Sequence, residues 1–136
     1  KASGFLGLCG YSDMREISEH YFAGDEKVKT AVDVYVYQLV KHIGAFTAAL
    51  GGLDALVFTA GVGENAAFIR KLVCDRLAYL GIELDDDVNC SRGKKEEISS
   101  QNSKVKVFVI PTDEEYMIAR DTYQLIVGEQ AENKAA

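Results

Sequence analysis

Three short segments hold residues whose types and spacing can do chemistry. The first is Phe58-Thr-Ala-Gly-Val-Gly-Glu-Asn65. Two glycines directly after an apolar run let the backbone approach a ligand with no Cβ in the way. A helix opening there presents free N–H groups and the positive end of its dipole, which suits a phosphate. The same residues also suit a plain tight turn between strand and helix, with Asn65 as helix N-cap. Gly-x-Gly alone is neither a Walker loop nor a full dinucleotide fingerprint.

The second segment is Thr112-Asp-Glu-Glu115, directly after Pro111. Thr-x-x-Glu is a capping box, with Thr112 as N-cap and Glu115 reaching back from the third helical position. That box has no need of Glu114. A carboxylate at that position can reach a cation, and magnesium typically takes only one or two protein carboxylates before water and phosphate oxygens. The third segment is Ser12-Asp-Met-Arg15. Ser12 or Asp13 can cap a helix there. Arg15 is either solvated or free to stack on a base or meet a phosphate.

The elements that must position these segments follow from periodicity. Residues 5–8 are a short apolar run, read as a strand or a buried approach to the turn at Gly10. Met14, Ile17 and Tyr21 share one helical face, and Gly24 closes that helix as a C′ glycine does. A long helix spans 26–50, with Val28, Val32, Tyr35, Leu39, Ile43, Phe46 and Leu50 recurring every three or four residues. Val36 and Val40 widen the stripe, which predicts burial on more than one side. Gly51 and Gly52 stop it.

Residues 54–59 form a short run bounded by glycines, the pattern of a buried strand. A tight loop over 60–65 leads to a helix over 66–80, with Ile69, Leu72, Val73, Leu77 and Leu80 inward and Gly81 at its end. Residues 82–95 read as polar and irregular, and 97–99 as a minor edge strand. A second clear strand spans 105–110 and ends at Pro111. A final helix covers 113–127 with Met117, Ile118, Leu125 and Ile126 inward, and the tail from Gly128 frays. Strands alternating with helices predict an α/β fold with a largely parallel sheet. Ligands in such sheets gather at the carboxyl ends of strands, where the first two segments lie.

Bulk properties exclude several classes. The chain has 136 residues, enough for one domain with one core. Nearly half are apolar and about a quarter charged, an ordinary globular composition. The formal charge of −6 argues against nucleic-acid binding, which needs a positive field. No apolar run approaches the roughly 20 residues of a membrane span, and no leader pattern is visible. Lys1 rather than Met opens the sequence, as in a piece of a longer protein. Cys9, Cys74 and Cys90 show no paired spacing, so they read as reduced, buried thiols rather than a zinc framework. His20 and His42 fall on predicted helices and read as structural or solvated.

Taken together, Ser-Asp-Met-Arg, then Gly-Gly-Leu-Asp-Ala-Leu-Val-Phe-Thr-Ala-Gly-Val-Gly-Glu-Asn, then Val-Ile-Pro-Thr-Asp-Glu-Glu resemble the acetate kinase family, with propionate kinases close by. The resemblance runs from about Ser3 to Ile126, in matching order and separation. It implies an α/β domain of the actin, Hsp70 and sugar-kinase (ribonuclease H-like) superfamily. Residues 1–136 would be the C-terminal nucleotide-binding and dimerisation domain, with the N-terminal domain outside this chain. The implied activity is reversible, magnesium-dependent phosphoryl transfer from ATP to acetate, giving acetyl phosphate and ADP. The alternatives are a propionate kinase or a non-catalytic dimerisation or nucleotide-binding module.

The resemblance also assigns residues. Positions matching Asp13, Met14 and Arg15 line the adenosine pocket. Those matching Gly61, Val62, Gly63, Glu64 and Asn65 form the nucleotide loop, and Glu114 matches the magnesium ligand. The family's arginine pair, histidine and aspartate at the acyl phosphate fall upstream, so no catalytic residue is expected here and the segment alone should not turn over. The implied partners are ATP, acetate, the chain's own N-terminal domain and a second copy in a homodimer, in the cytoplasm, with no nucleic acid and no membrane. Two features depart from the family pattern. The stretch before Asp13 is one residue shorter and has one serine instead of two, which changes the path beside the adenosine. Asp113 stands where the family has Asn, which adds charge beside the metal position.

Overall fold

The computed structural model describes residues 3–90 and 96–135, with side chains up to 127. The chain opens with three helices: α1 (Gly4–Cys9), α2 (Met14–Phe22) and α3 (Glu26–Leu50). The first differs from expectation, since residues 5–8 are helical and not a strand. So short an apolar run has no measurable period. Its partner decides its form: Phe5 packs against Tyr35 of α3 with ring centroids 5.1 Å apart.

Asp25 caps α3 by accepting from the amides of Lys27 and Val28, and Gly51 ends the helix at φ 75°, a left-handed turn that glycine adopts without strain. Both bounds match the periodic reading. Its burial does not. Val28, Ala31, Val32 and Val36 are sealed in the first half, whereas Tyr37, Phe46 and Leu50 are exposed. The stripe is apolar along its whole length, but this chain covers only part of it.

Strand β1 (Ala55–Phe58) then leads into α4 (Ala60–Asn65) and α5 (Ala67–Arg76), followed by a 3₁₀ turn at Ala78–Leu80. A short helix, α6 (Asp86–Asn89), interrupts the stretch read as irregular, and the expectation for 91–95 lies outside the described residues. Strands β2 (Glu96–Glu97) and β3 (Lys106–Val109) and helix α7 (Glu114–Ala135) complete the order. The backbone of α7 stays helical beyond Gly128, where fraying was expected.

The sheet runs β1-β3-β2. β1 pairs with β3 in parallel, Ala55 opposite Lys106 and Phe58 opposite Val109, while β2 joins antiparallel at the edge. An isolated antiparallel bridge, Leu84 to Ser99, extends that edge as 97–99 predicted. β1 is half-buried rather than buried, because Leu56 and Phe58 pack inward while Val57 is 48% exposed. One core joins Ile17 of α2, Val28, Val32 and Val36 of α3, Ile69, Val73 and Leu77 from α5 onward, and Val107 and Val109 of β3. The inward reading of Met117, Ile118, Leu125 and Ile126 in α7 is overturned, since all four are exposed. Their apolar type predicts burial only where this chain supplies a surface to bury against.

Candidate functional site

The parallel pair β1 and β3 delivers two segments to the same end of the sheet. After β1, Thr59 is extended and Ala60 turns left-handed at φ 59°. An alanine in that region is strained, and such strain gathers at ligand sites. The expected tight loop over 60–65 is instead wound into helix α4. Asn65 does not cap the next helix. Its Nδ2 donates back to the Gly61 carbonyl at 3.0 Å, and Ala66 occupies the N-cap of α5 with no side-chain bond.

The two glycines differ in their surroundings. A Cβ added at Gly63 would meet the Phe58 carbonyl carbon at 3.2 Å, so this residue lets α4 pack against β1. A Cβ at Gly61 would meet nothing within 4 Å. Gly61 therefore faces open space, as a backbone that receives a ligand must.

After β3, Pro111 and Thr112 bring the chain to α7. The capping box does not form. Asp113 caps α7 by accepting from the Tyr116 amide at 3.1 Å. Thr112 turns elsewhere: its amide and its hydroxyl both donate to Glu64 Oε1, at 2.9 and 3.1 Å. The two segments are thus joined directly. Glu114, one residue past the cap, is exposed beside an open depression of about 350 Å³ that Thr112, Asp113, Met117 and Ile118 also line. Among the described residues no group of three or more His, Cys, Asp or Glu side chains is arranged to hold a metal.

The third segment stands apart. Asp13, not Ser12, caps α2 by accepting from the Arg15 amide. Its carboxylate also accepts from Arg15 Nη2 at 2.6 Å, and these bonds hold the Asp13 carboxyl down at about 2. Arg15 is highly exposed, and Met14 packs against the core. Among the described residues no hydrogen bond or ion pair links Asp13 or Arg15 to residues 61–65. Aromatic contacts of Tyr21 and Phe22 with Phe68, centroids 5.3 and 5.6 Å apart, tie α2 to the first turn of α5.

Sequence reasoning missed Arg70. This side chain is 1% exposed. Its Nη1 donates to the carbonyls of Gly63 and Glu64 at 2.8 and 2.9 Å, its Nε to Asn89 Oδ1 at 2.8 Å, and its Nη2 to the Asn89 carbonyl. Asn89 in turn donates to the Ala67 carbonyl at 3.1 Å. A signal was present: Arg70 falls on the buried stripe of Ala66, Ile69, Val73, Cys74 and Leu77, where a charge is out of place. The thiols divide as well. Burial pushes Cys74 up to about 12, whereas Cys90 is exposed rather than buried.

The fold has clear relatives. An acetate kinase of Porphyromonas gingivalis superposes with a TM-score of 0.82 at 48% identity, covering 93% of this chain and 32% of that one. A propionate kinase of Francisella tularensis gives 0.79 at 43% identity, covering 88% and 30%. The fold is therefore the α/β fold of the actin, Hsp70 and sugar-kinase class. Residues 1–120 match the model of the acetokinase family. An acetate kinase of Carboxydothermus hydrogenoformans is 54% identical over 128 residues, 94% of this chain and 32% of its own length. The chain belongs to the acetokinase family and spans about a third of the length of the curated relatives it matches. Among the described residues no helix is long and apolar enough to cross a membrane.

Proposed function

We propose that these residues form the nucleotide-binding, C-terminal domain of an acetate kinase, which transfers the γ-phosphoryl group of ATP to acetate and releases acetyl phosphate and ADP. The observation that carries this reading is the pair of bonds from Thr112 to Glu64, which holds the glycine segment after β1 and the acidic turn after β3 at one end of the sheet. Nucleotides bind at that end of open α/β sheets. Phosphoryl transfer rests on in-line positioning and on neutralising charge at the transferring group. In this reading Gly61 through Asn65 receive the nucleotide, Asp13, Met14 and Arg15 border the adenosine, and acetate sits on the N-terminal domain.

Magnesium fits through Glu114. A single exposed carboxylate is too little for an all-protein site, but it suffices for an ion that takes its remaining ligands from water and phosphates. Asp113 is engaged as a helix cap, and of the two glutamates that follow it Glu114 is the one that lines the depression. When bound, the ion would neutralise charge on the phosphates. Exposed Tyr37, Phe46 and Leu50 on α3 suit a second copy in a homodimer, and the exposed face of α7 suits the chain's own N-terminal domain. The enzyme would work in the cytoplasm. The F. tularensis relative keeps propionate open as the acceptor. One methylene in an apolar pocket discriminates by only about 1–3 kcal/mol.

Titration of the full native chain with Mg-ATP tests the reading, with Gly61→Val as the variant. A Cβ there meets open space, so the fold should keep its Tm while nucleotide affinity drops at least about tenfold. Unchanged affinity in the folded variant would end the proposal. Gly63→Val is a poor probe, because it collides with Phe58 first.

A further inference from the structure

A buried positive charge without an acidic partner needs a reason. Arg70 is sealed between α4, α5 and α6, and among the described residues no carboxylate lies within ion-pair distance of it. Burial draws its pKa down. Four of its five donors are met by uncharged oxygens: Gly63 O, Glu64 O, Asn89 O and Asn89 Oδ1. Filling this volume with an apolar side chain would avoid the desolvation cost, and such replacements are often neutral or stabilising. The guanidinium must therefore supply something that packing does not.

What it supplies is a fork. Two of the acceptors are successive carbonyls at the end of α4, which have no helical partner of their own. Holding both fixes the planes of the Gly63–Glu64 and Glu64–Asn65 peptides. Those planes set the direction in which the Glu64 side chain leaves the backbone, and that side chain reaches Thr112 beside Glu114. Asn89 holds the far side of the fork and is itself anchored to Ala67.

We propose that Arg70 is a positioning residue for the nucleotide segment: its buried fork, braced by Asn89, orients Gly63 and Glu64 so that the turn after β1 and the turn carrying Glu114 meet the same ligand. This inference rests on the nucleotide-binding reading above. Arg70 does not touch the ligand and acts only through the backbone it holds.

The test is the affinity of the full native chain for Mg-ATP, measured by calorimetry well below each variant's Tm. Arg70→Lys keeps the charge but cannot bridge both carbonyls and Asn89 together. Affinity should fall by about tenfold or more, and KM for the carboxylate substrate should stay unchanged. Asn89→Ala removes only the brace and should give a smaller loss of the same kind. If Arg70→Lys fails to fold, Asn89→Ala decides. Folded variants that bind nucleotide within twofold of the native chain, with only a lowered Tm, overturn this inference and leave the nucleotide reading standing. A native chain that binds no Mg-ATP removes both.

Discussion

Helices α5 and α7 each follow a strand of the same parallel pair, yet they meet opposite fates. On α5, Ile69 and Val73 are sealed against α3, in one cluster with Val107 and Val109 of β3. On α7, Tyr116, Met117, Ile118, Tyr123, Leu125 and Ile126 all face out. The two helices do not differ in having apolar residues. They differ in whether this chain provides a facing surface. Helical apolar faces gain stability only by leaving water. The β1–α5 side is thus a finished core, and the β3–α7 side leaves its apolar face uncovered.

The largest effect that would break this contrast is a paired truncation. Ile69→Ala should cost the 136-residue chain about 3 kcal/mol by urea unfolding, because it empties a sealed site. Ile118→Ala should cost about 0.5 kcal/mol or less. Equal costs would mean that α7 is packed after all. In a longer chain that covers α7, the second value should rise towards the first.

A smaller effect lies at the hinge into the finished side. Left-handed geometry costs alanine about 1–2 kcal/mol, and glycine gives back about 0.5–1 kcal/mol of that gain as chain entropy. Ala60→Gly should therefore raise stability by about 0.5 kcal/mol in the same unfolding assay. A loss of stability would show that Ala60 is not strained.

The smallest effect concerns the side-chain tie between the turn after β1 and the start of α7. Glu64→Gln weakens the bonds that Thr112 donates, since charged acceptors bind about twice as strongly as neutral ones. Amide exchange at Thr112 should quicken by about fivefold while global stability moves by less than about 0.5 kcal/mol. Unaltered exchange would show that the start of α7 is held by something other than Glu64.

Legibility in the sequence followed the same divide. The bounds of α3 could be read because Asp25 and Gly51 punctuate a long period, and β1 and β3 because glycines and Pro111 bracket them. The glycine and acidic segments could be placed at one sheet end because parallel strands leave no other choice. Three things were hidden. Residues 5–8 were too few to show a period. Asn65 and Thr112 each had a local partner available and took a different one, and a choice between competing hydrogen bonds is not written in spacing. Arg70 was overlooked because a lone arginine on a helix is ordinarily solvated, although its neighbours on the stripe marked it as an exception.

Among the described residues the order β1-β3-β2 leaves β1 with a single neighbour. Its outer backbone therefore offers a row of unanswered donors and acceptors, with Val57 exposed among them. Any extended peptide that drifts alongside can dock there. These 136 residues are prone to clump through that border, and Val57→Lys should blunt it and keep them dispersed.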